Sequence, residues 1–590
     1  MNRRNGVFTW AKRHNCTFGI EKFQMLDLSR KRIPHQLNPQ RRIPIPRRAL
    51  ILGNQRIPSR ETAKFLGVVV DNKLDWKGQC AAALAKGQDW LIQFNRLAKT
   101  SQGIRAKYIR QLYLSIAIPR MFYAADIFLT PQQKAGNSRL SAPSNRAALN
   151  KLSTVQRRAA IMITGALKTT ATDIIEIMAN LLPLRILVDK IRYRAALRLA
   201  TLPPTHPLYK PVKNAAKRLV KRHKTPLHDL MHRYRLQPDN IETINATRYN
   251  TDWKPKVTIK IINDADEAIT DMEQDHPDVK IFTDGSGMEG EIGASAVLYR
   301  NGRLKSSVRY KLGRQKHHTV YEGEAAGLLL GTKLMEREWG IRTAIFYVDN
   351  RAAILATQLT KPAPGHHIFG AFHNYIGKIT NANLDLRITI KWIPGHKGAV
   401  GNEKADELAK KAITEGSSTQ DRLPKYLQNH LPQSKSAHLQ AFSEKLKAIT
   451  HKQWEKSPRF ERMKLTDPTA PSNKYLKLTE KLPRKLTSIL TQLRTGHAAL
   501  AKHLHRIKKA DSPICPACLQ RPETVQHLVL HCPAHQAARH TLRTKTGGQD
   551  IKIAKILTTA KYLRALFRFI AQTGRFHNNL DLIPLLQGNP

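Results

Sequence analysis

The chain is poor in acidic residues, in cysteine and in long apolar runs, and each shortage excludes something. Only 44 Asp+Glu face 99 Lys+Arg in 590 residues, a formal charge of +55 at pH 7. A surplus of that size repels itself unless a polyanion neutralises it, so nucleic acid leads the classes of partner to consider. Five cysteines are an odd count, and three of them crowd between Cys515 and Cys532. That pattern argues against a disulfide framework and for a metal site in a reducing compartment. No apolar run reaches the roughly 18 to 20 residues of a membrane helix, and the N-terminus MNRRNGVFTWAKRHNC lacks the apolar stretch of a signal peptide. An intracellular protein, nuclear or cytoplasmic, not secreted and with no membrane partner, is expected.

What is present allows folded cores. The hydrophobic share is 41%, and the length suggests about three to five domains. Composition divides the chain at several points. Residues 1–130 mix basic loops, such as 29–48, with strand-like pieces such as FLGVVVD (65–71), and 131–262 read as helical. In 184–199, Leu184, Leu187, Val188, Ile191 and Ala195 recur at helical spacing, with Arg185, Lys190, Arg192, Arg194 and Arg198 mostly on the other, solvated faces. Residues 263–277 are acidic and read as a linker. From 278 to 415 the pattern is a βββαβαβα succession, which implies a mixed sheet with helices on its faces. A basic helical region (416–511), a Cys/His element (512–536) and a helical tail (537–590) follow. The fold class expected is multidomain α/β, with mainly helical basic flanks. Residues 278–415 carry only +6 of the net charge, leaving +49 on the flanks.

Four acids in the patterned domain come from separate elements. Asp284 ends the first strand in IFTDGSG, Glu324 lies early in the helix TVYEGEAAGLLLG, Asp349 ends a strand in IFYVDN, and Asp406 opens the last helix in GNEKADELAKKA. Singly, each reads as a surface carboxylate or a helix cap. Together, acids at strand ends and helix starts can form a cluster of oxygen ligands for hard divalent cations. TDGSG, E-x-x-G-L-L-L, VDN and W-I-P-G-H-K-G-x-x-G-N-E-x-A-D-x-L-A, with the acids 40, 25 and 57 residues apart, resemble the four acidic motifs of type 1 ribonuclease H. The resemblance implies that Asp284, Glu324, Asp349 and Asp406 hold two Mg²⁺ ions, with Mn²⁺ a possible substitute. It also implies that His396 assists proton transfer or product release, and that the substrate is the RNA strand of an RNA/DNA hybrid. No small-molecule cofactor is expected. Glu322 competes with Glu324, which the following apolar run favours. His366 and His367 read as surface residues. Where some members carry a basic protrusion this chain has only QLTKPAPGHH, so grip on the duplex is expected from the basic flanks, which would bind RNA and DNA.

TWAKRHNCTFGIEKFQML (9–26), KFLGVVVDNKLDW (64–76) and NKLSTVQRRAAIMITGAL (150–167) resemble the end of the palm, the start of the thumb and the connection of non-LTR (LINE-type) reverse transcriptases. There is no Asp-Asp pair anywhere, and YAAD (123–126) lacks the second Asp. A truncated retrotransposon protein without polymerase activity is expected. Near the far end, Cys515, Cys518, His527 and Cys532 make C-x2-C-x8-H-x4-C, a spacing suited to a structural Zn²⁺, with His531 an alternative to Cys532. The preceding LTQLRTGHAALAKHLHRIKKADSPICPAC (490–518) again resembles the C-terminal region of such retrotransposon proteins. The competing reading is a catalytically silent nucleic-acid-binding remnant.

Overall fold

The computed structural model describes residues 5–28, 31–52, 55–99, 103–129, 143–218, 225–548 and 552–576. Residues 577–590 of the expected helical tail lie outside them. The chain divides into two compact units, one of Arg192–Lys447 and one of Met1–Ile191 with Ala448–Pro590.

The first unit is built on one six-stranded mixed sheet. Its strands are β1 (Thr258–Lys260), β2 (Val279–Met288), β3 (Glu291–Arg300), β4 (Arg303–Arg314), β5 (Thr343–Val348) and β6 (Arg387–Trp392), in the order β4-β3-β2-β5-β6-β1. The long hairpins β2–β3–β4 are antiparallel; β2–β5, β5–β6 and β6–β1 are parallel. Helices are α1 (Ala265–Gln274), α2 (Val320–Met335), α3 (Arg351–Ala356), α4 (His366–Ala382) and α5 (Val400–Glu415). Successive strand residues point to opposite faces, so Ile281 enters the larger core with α2 and α4, whereas Phe282, Val297 and Tyr347 form a second core with α1 and α5.

Several expectations need correction. The acidic stretch 263–277 is not a linker. Asp264 caps α1 by accepting from Asp266 N and Glu267 N, the acids of the first turn suit a helix N-terminus, and Lys391 reaches Asp271 and Asp275 at 2.7 Å. The sheet gains β1 from a segment expected to be helical. The unit extends past residue 415, because Leu423, Leu427 and Leu431 bury themselves in the sheet core. Arg192, expected on a solvated face, is buried and pairs with Asp229. FLGVVVD is the turn and second strand of the hairpin Thr62–Phe65/Val68–Asp71, with Leu66 (φ 46°) and Gly67 (φ 81°) both left-handed, as a two-residue hairpin turn requires.

The other unit is largely helical. Its helix Lys77–Leu97 packs on Pro143–Thr164 around Trp90, Tyr113, Met121 and Leu152, and a second core gathers Ile489, Leu490, Leu566, Phe567 and Phe569. Glu176 is buried in this unit, accepting from Gln156 Nε2 at 2.6 Å, and burial pushes its carboxyl up to about 7. The native state therefore holds a proton that the unfolded chain releases near 4.5, so stability from this group is present at low pH and lost as pH rises through about 7. Glu176→Gln is expected to match the wild type at about pH 4 and to gain roughly 3 kcal/mol at pH 8. Melting temperatures at the two pH values check this.

Candidate functional site

Register brings two acids together. Thr283 of β2 pairs with Val348 of β5 in parallel, so the next residues, Asp284 and Asp349, stand side by side; Asp349 lies just past the carboxyl end of β5, whereas Asp284 does not end its strand, which runs on to Met288. The third acid depends on a close approach of helix to sheet. Gly323, Gly327 and Gly331 run along one side of α2, and a Cβ at Gly327 would lie 3.1 Å from Ser295 O and 3.2 Å from Asp284 O. At Gly285 a Cβ would meet Glu324 N at 2.3 Å. Only the missing side chains let the backbone of α2 seat Glu324 beside Asp284. Ligand oxygens of Asp284, Glu324 and Asp349 lie within 4.8 Å of one another.

Asp406 is held apart from this triad. It sits in the second turn of α5 rather than opening it, with Oδ2 taking a 2.6 Å ion pair from Lys410 Nζ. Its charge still reaches the others. Burial, then Asp349 and Asp406, push the Asp284 carboxyl up to about 7. Glu324 is raised well above the usual carboxylate range by burial and by Asp284 and Asp349. Asp349 is also raised by burial, with the nearby His396 pulling it partway back. Asp284 Oδ2 and Glu324 Oε2 are buried without a hydrogen-bond partner. Crowded carboxylates with orphaned oxygens are destabilising alone and well matched to a hard divalent cation.

His396 is exposed at φ 55° in the loop between β6 and α5, and the Cβ space of neighbouring Gly395 is occupied by Asp349 Oδ2 at 2.9 Å. Glu322 is turned away from the acids, and with Thr319 it forms the capping box of α2. His366 and His367 are not surface residues. They open α4, where His366 is buried within 3.4 Å of Tyr321 OH and His367 Nδ1 lies 2.8 Å from Tyr426 OH, and burial lowers both to about 4.

Two contributors escape the sequence reading. Asn350 caps α3 through Ala352 N and Ala353 N and turns its side chain to Glu324; an Asn between a strand and a helix is the available signal. Trp392 Nε1 donates to Asp349 O at 2.9 Å and lies under the Arg351 guanidinium at 3.8 Å, a contact with no sequence signature.

In the other unit a second cluster forms. The ligand atoms of Cys515, Cys518, His527 and Cys532 lie within 4.8 Å of one another. Cys515 Sγ and Cys532 Sγ are 3.8 Å apart, and Cys518 Sγ and His527 Nε2 3.4 Å. Thiolates and imidazole on one tetrahedral Zn²⁺, at about 2.3 and 2.0 to 2.1 Å, would stand about 3.5 to 3.8 Å apart. The segment His527–His531 is a π-helical turn, and His531 is exposed outside the group. Burial raises the Cys532 thiol to about 11, while the Gln520 N–H lowers Cys518.

Residues 276–414 match the family described as RNase H. They form an RNase H domain. Among solved structures, similarity extends to the N-terminal RNase H domain of a Mycobacterium tuberculosis protein (19% identity, 24% of this chain and 96% of that one, TM-score 0.20). RNase H1 of the archaeon Halobacterium salinarum is similar at 16% identity (23% and 98%, TM-score 0.18), and the protease-reverse transcriptase of prototype foamy virus at 22% (25% and 22%, TM-score 0.19). LC11-RNase H1, solved in complex with an RNA/DNA hybrid, is 16% identical (23% and 99%, TM-score 0.18). No curated protein matches the chain. No helix among the described residues is long and apolar enough to cross a membrane.

Proposed function

We propose that the chain hydrolyses the RNA strand of RNA/DNA hybrids endonucleolytically, within a protein of non-LTR retrotransposon origin. The observation that carries this reading is the triad of Asp284, Glu324 and Asp349, the first two buried and the third half-buried, mutually repelling and with two oxygens unpaired. These three, with Asp406, would hold two Mg²⁺ ions. When bound, such ions lower the pKa of a water and stabilise charge on the scissile phosphate. The chain's own residues do the rest. Asp284 and Asp349, fixed by strand register, define where the phosphate must sit, and the α2 glycines keep Glu324 in reach of both. His396, exposed beside Asp349, exchanges a proton between solvent and the leaving 3′-oxygen. Water oxygen bonds to phosphorus as the P–O3′ bond breaks, leaving 5′-phosphate and 3′-hydroxyl ends. The match of residues 276–414 to the RNase H family supports that substrate class. Incubating the protein and Mg²⁺ with hybrids labelled on either strand tests the reading: the labelled RNA should be cut and the labelled DNA left whole, and an intact RNA strand would overturn it.

The Cys/His cluster is proposed to hold one structural Zn²⁺ closed off from solvent chemistry. Cys515→Ser is expected to reduce bound zinc from one per chain to none, and to lower the melting temperature of its unit by several degrees. Elemental analysis beside a melting curve checks both. An unchanged zinc content would remove Cys515 from the ligand set.

A further inference from the structure

Outside the acidic site and the Cys/His cluster, the most distinctive feature of the molecule is a cleft of about 650 Å³ in the unit of Met1–Ile191 and Ala448–Pro590. Four arginines, Arg157, Arg459, Arg462 and Arg506, line it with His497, and Asp173 is its sole acid among the described residues. No described Phe, Tyr or Trp lines it.

Each guanidinium offers five N–H donors, and few of these are used. Arg459 Nη1 meets Asp173 Oδ2 at 3.3 Å, Arg462 Nη2 donates to Thr495 O at 2.7 Å, and Arg506 Nη2 lies 3.0 Å from His503 Nδ1 and 3.4 Å from His497 Nδ1. Arg157 is anchored by Thr172 Oγ1 and Lys168 O, both at 2.6 Å. One carboxylate, already shared with Ser457 Oγ at 2.6 Å, cannot neutralise four arginines. The crowding is visible in the neighbours: burial, then His503, Arg506, Arg462 and Arg459, push His497 down to about 4, and His503 is lowered by burial, Arg506 and Arg462. Arg506 is held in place from behind. Its helix, Ala501–Arg506, is anchored by the buried Glu523 of the Cys/His segment, whose Oε2 accepts from Ala501 N at 2.6 Å and Arg575 Nη2 at 2.7 Å.

We propose that this cleft binds the phosphodiester backbone of a nucleic-acid strand, without reading its bases. Planar guanidinium forks supplied by separate helical elements, Arg157 from Pro143–Thr164, Arg462 from Phe460–Thr466 and Arg506 from Ala501–Arg506, suit successive phosphates. The absence of an aromatic platform among the described residues removes the usual means of base stacking, so binding should be insensitive to sequence and steep in salt. The site stands independently of the ribonuclease reading, and its test uses a strand that no ribonuclease H reaction consumes.

The probe is a fluorescently labelled single-stranded dT20, titrated with the full chain at several KCl concentrations. Arg459→Ala/Arg462→Ala/Arg506→Ala is expected to weaken binding about tenfold or more at low salt. It should also flatten the log–log salt dependence by about two, at about 0.7 for each lost phosphate contact on a single strand. Because Arg462 supports Thr495 O, the double variant Arg459→Ala/Arg506→Ala, both exposed residues, is run in parallel; it should lose about 1.4. The control removes the same charge elsewhere on the unit, at exposed Arg41, Arg42 and Arg48, and should change the slope by less than one. Equal losses in cleft and control variants would overturn the proposal, since binding would then be diffuse. A calorimetric titration with inorganic phosphate separates the other source of the same chemistry: loss of phosphate binding in the cleft variants with an unchanged dT20 slope would also overturn it. Discrimination of dT20 from a mixed-sequence strand by more than about tenfold would contradict backbone-only recognition.

Discussion

Replacing Asp284 by Asn is expected to do two opposite things: abolish hybrid cleavage and stabilise the metal-free protein. The rate should fall at least about a thousandfold, because a ligand set that stabilises transition-state charge by several kcal/mol loses a central member. Stability should move the other way. Asp284 is driven to about 7 by burial and by Asp349 and Asp406, so above that pH the native state carries a charge that the unfolded chain carries more cheaply. Raising a carboxyl from 3.8 to about 7 corresponds to a penalty on the order of 4 kcal/mol when fully ionised. The sign follows from proton counts: between those values the native state binds more protons, so stability falls as pH rises, and the loss is complete above about 7. At pH 8 in EDTA, Asp284→Asn should therefore melt several degrees above wild type, with the difference shrinking as pH is lowered toward 4. Adding Mg²⁺ should raise the wild-type melting point more than the variant's, since a cation binding the native state stabilises by mass action. Melting curves with and without Mg²⁺, read beside the cleavage rate, measure both effects on one protein.

Gly285→Ala is expected to lose activity and stability together. Its Cβ would lie 2.3 Å from Glu324 N and 2.5 Å from Gly323 C, both backbone atoms of α2 that no rotamer change can move. The helix must retreat, at the roughly 1 to 3 kcal/mol or more typical of overpacking. A displacement near 1 Å at Glu324 would cost about a hundredfold in rate. Lower Mg²⁺ affinity should accompany it, because the triad opens while all its carboxylates remain. The two variants thus separate charge from geometry: both lose cleavage, but the melting point rises in one and falls in the other. A Gly285→Ala protein with wild-type rate and melting temperature would mean that helix and sheet are less closely packed than this fold shows.

The acids are visible in the sequence because chemistry leaves local marks: TDGSG, VDN and the glycine-spaced α2 segment each pair an acid with the turn or small residue that positions it. What stays hidden is set by distant partners. Strand register, which sets Asp284 beside Asp349, needs the parallel pairing of β2 with β5 across two intervening strands and a helix. The ion pair of Asp406 with Lys410 can be guessed from i,i+4 spacing, but not that it leaves Asp406 outside the tight triad. His366 and His367 read as loop residues because PAPGHH looks like a turn; the structure starts α4 there, burying His366 against Tyr321 and half-burying His367 against Tyr426. The stretch after Asn263 misleads for a different reason. Its acids suggest a solvated linker, yet Asp264 followed by Asp266 and Glu267 is a helix start signal, and Lys391, far away in sequence, supplies the charge that anchors α1.

The decisive measurement is a side-by-side initial rate with full-length protein and Mg²⁺ on three duplexes of one sequence: RNA/DNA, DNA/DNA and RNA/RNA, each labelled on both strands. Cleavage confined to the RNA strand of the hybrid, lost in EDTA and lost in Asp284→Asn, is the predicted result. Cleavage of DNA/DNA at a comparable rate, or cleavage of the hybrid that survives Asp284→Asn, would contradict it.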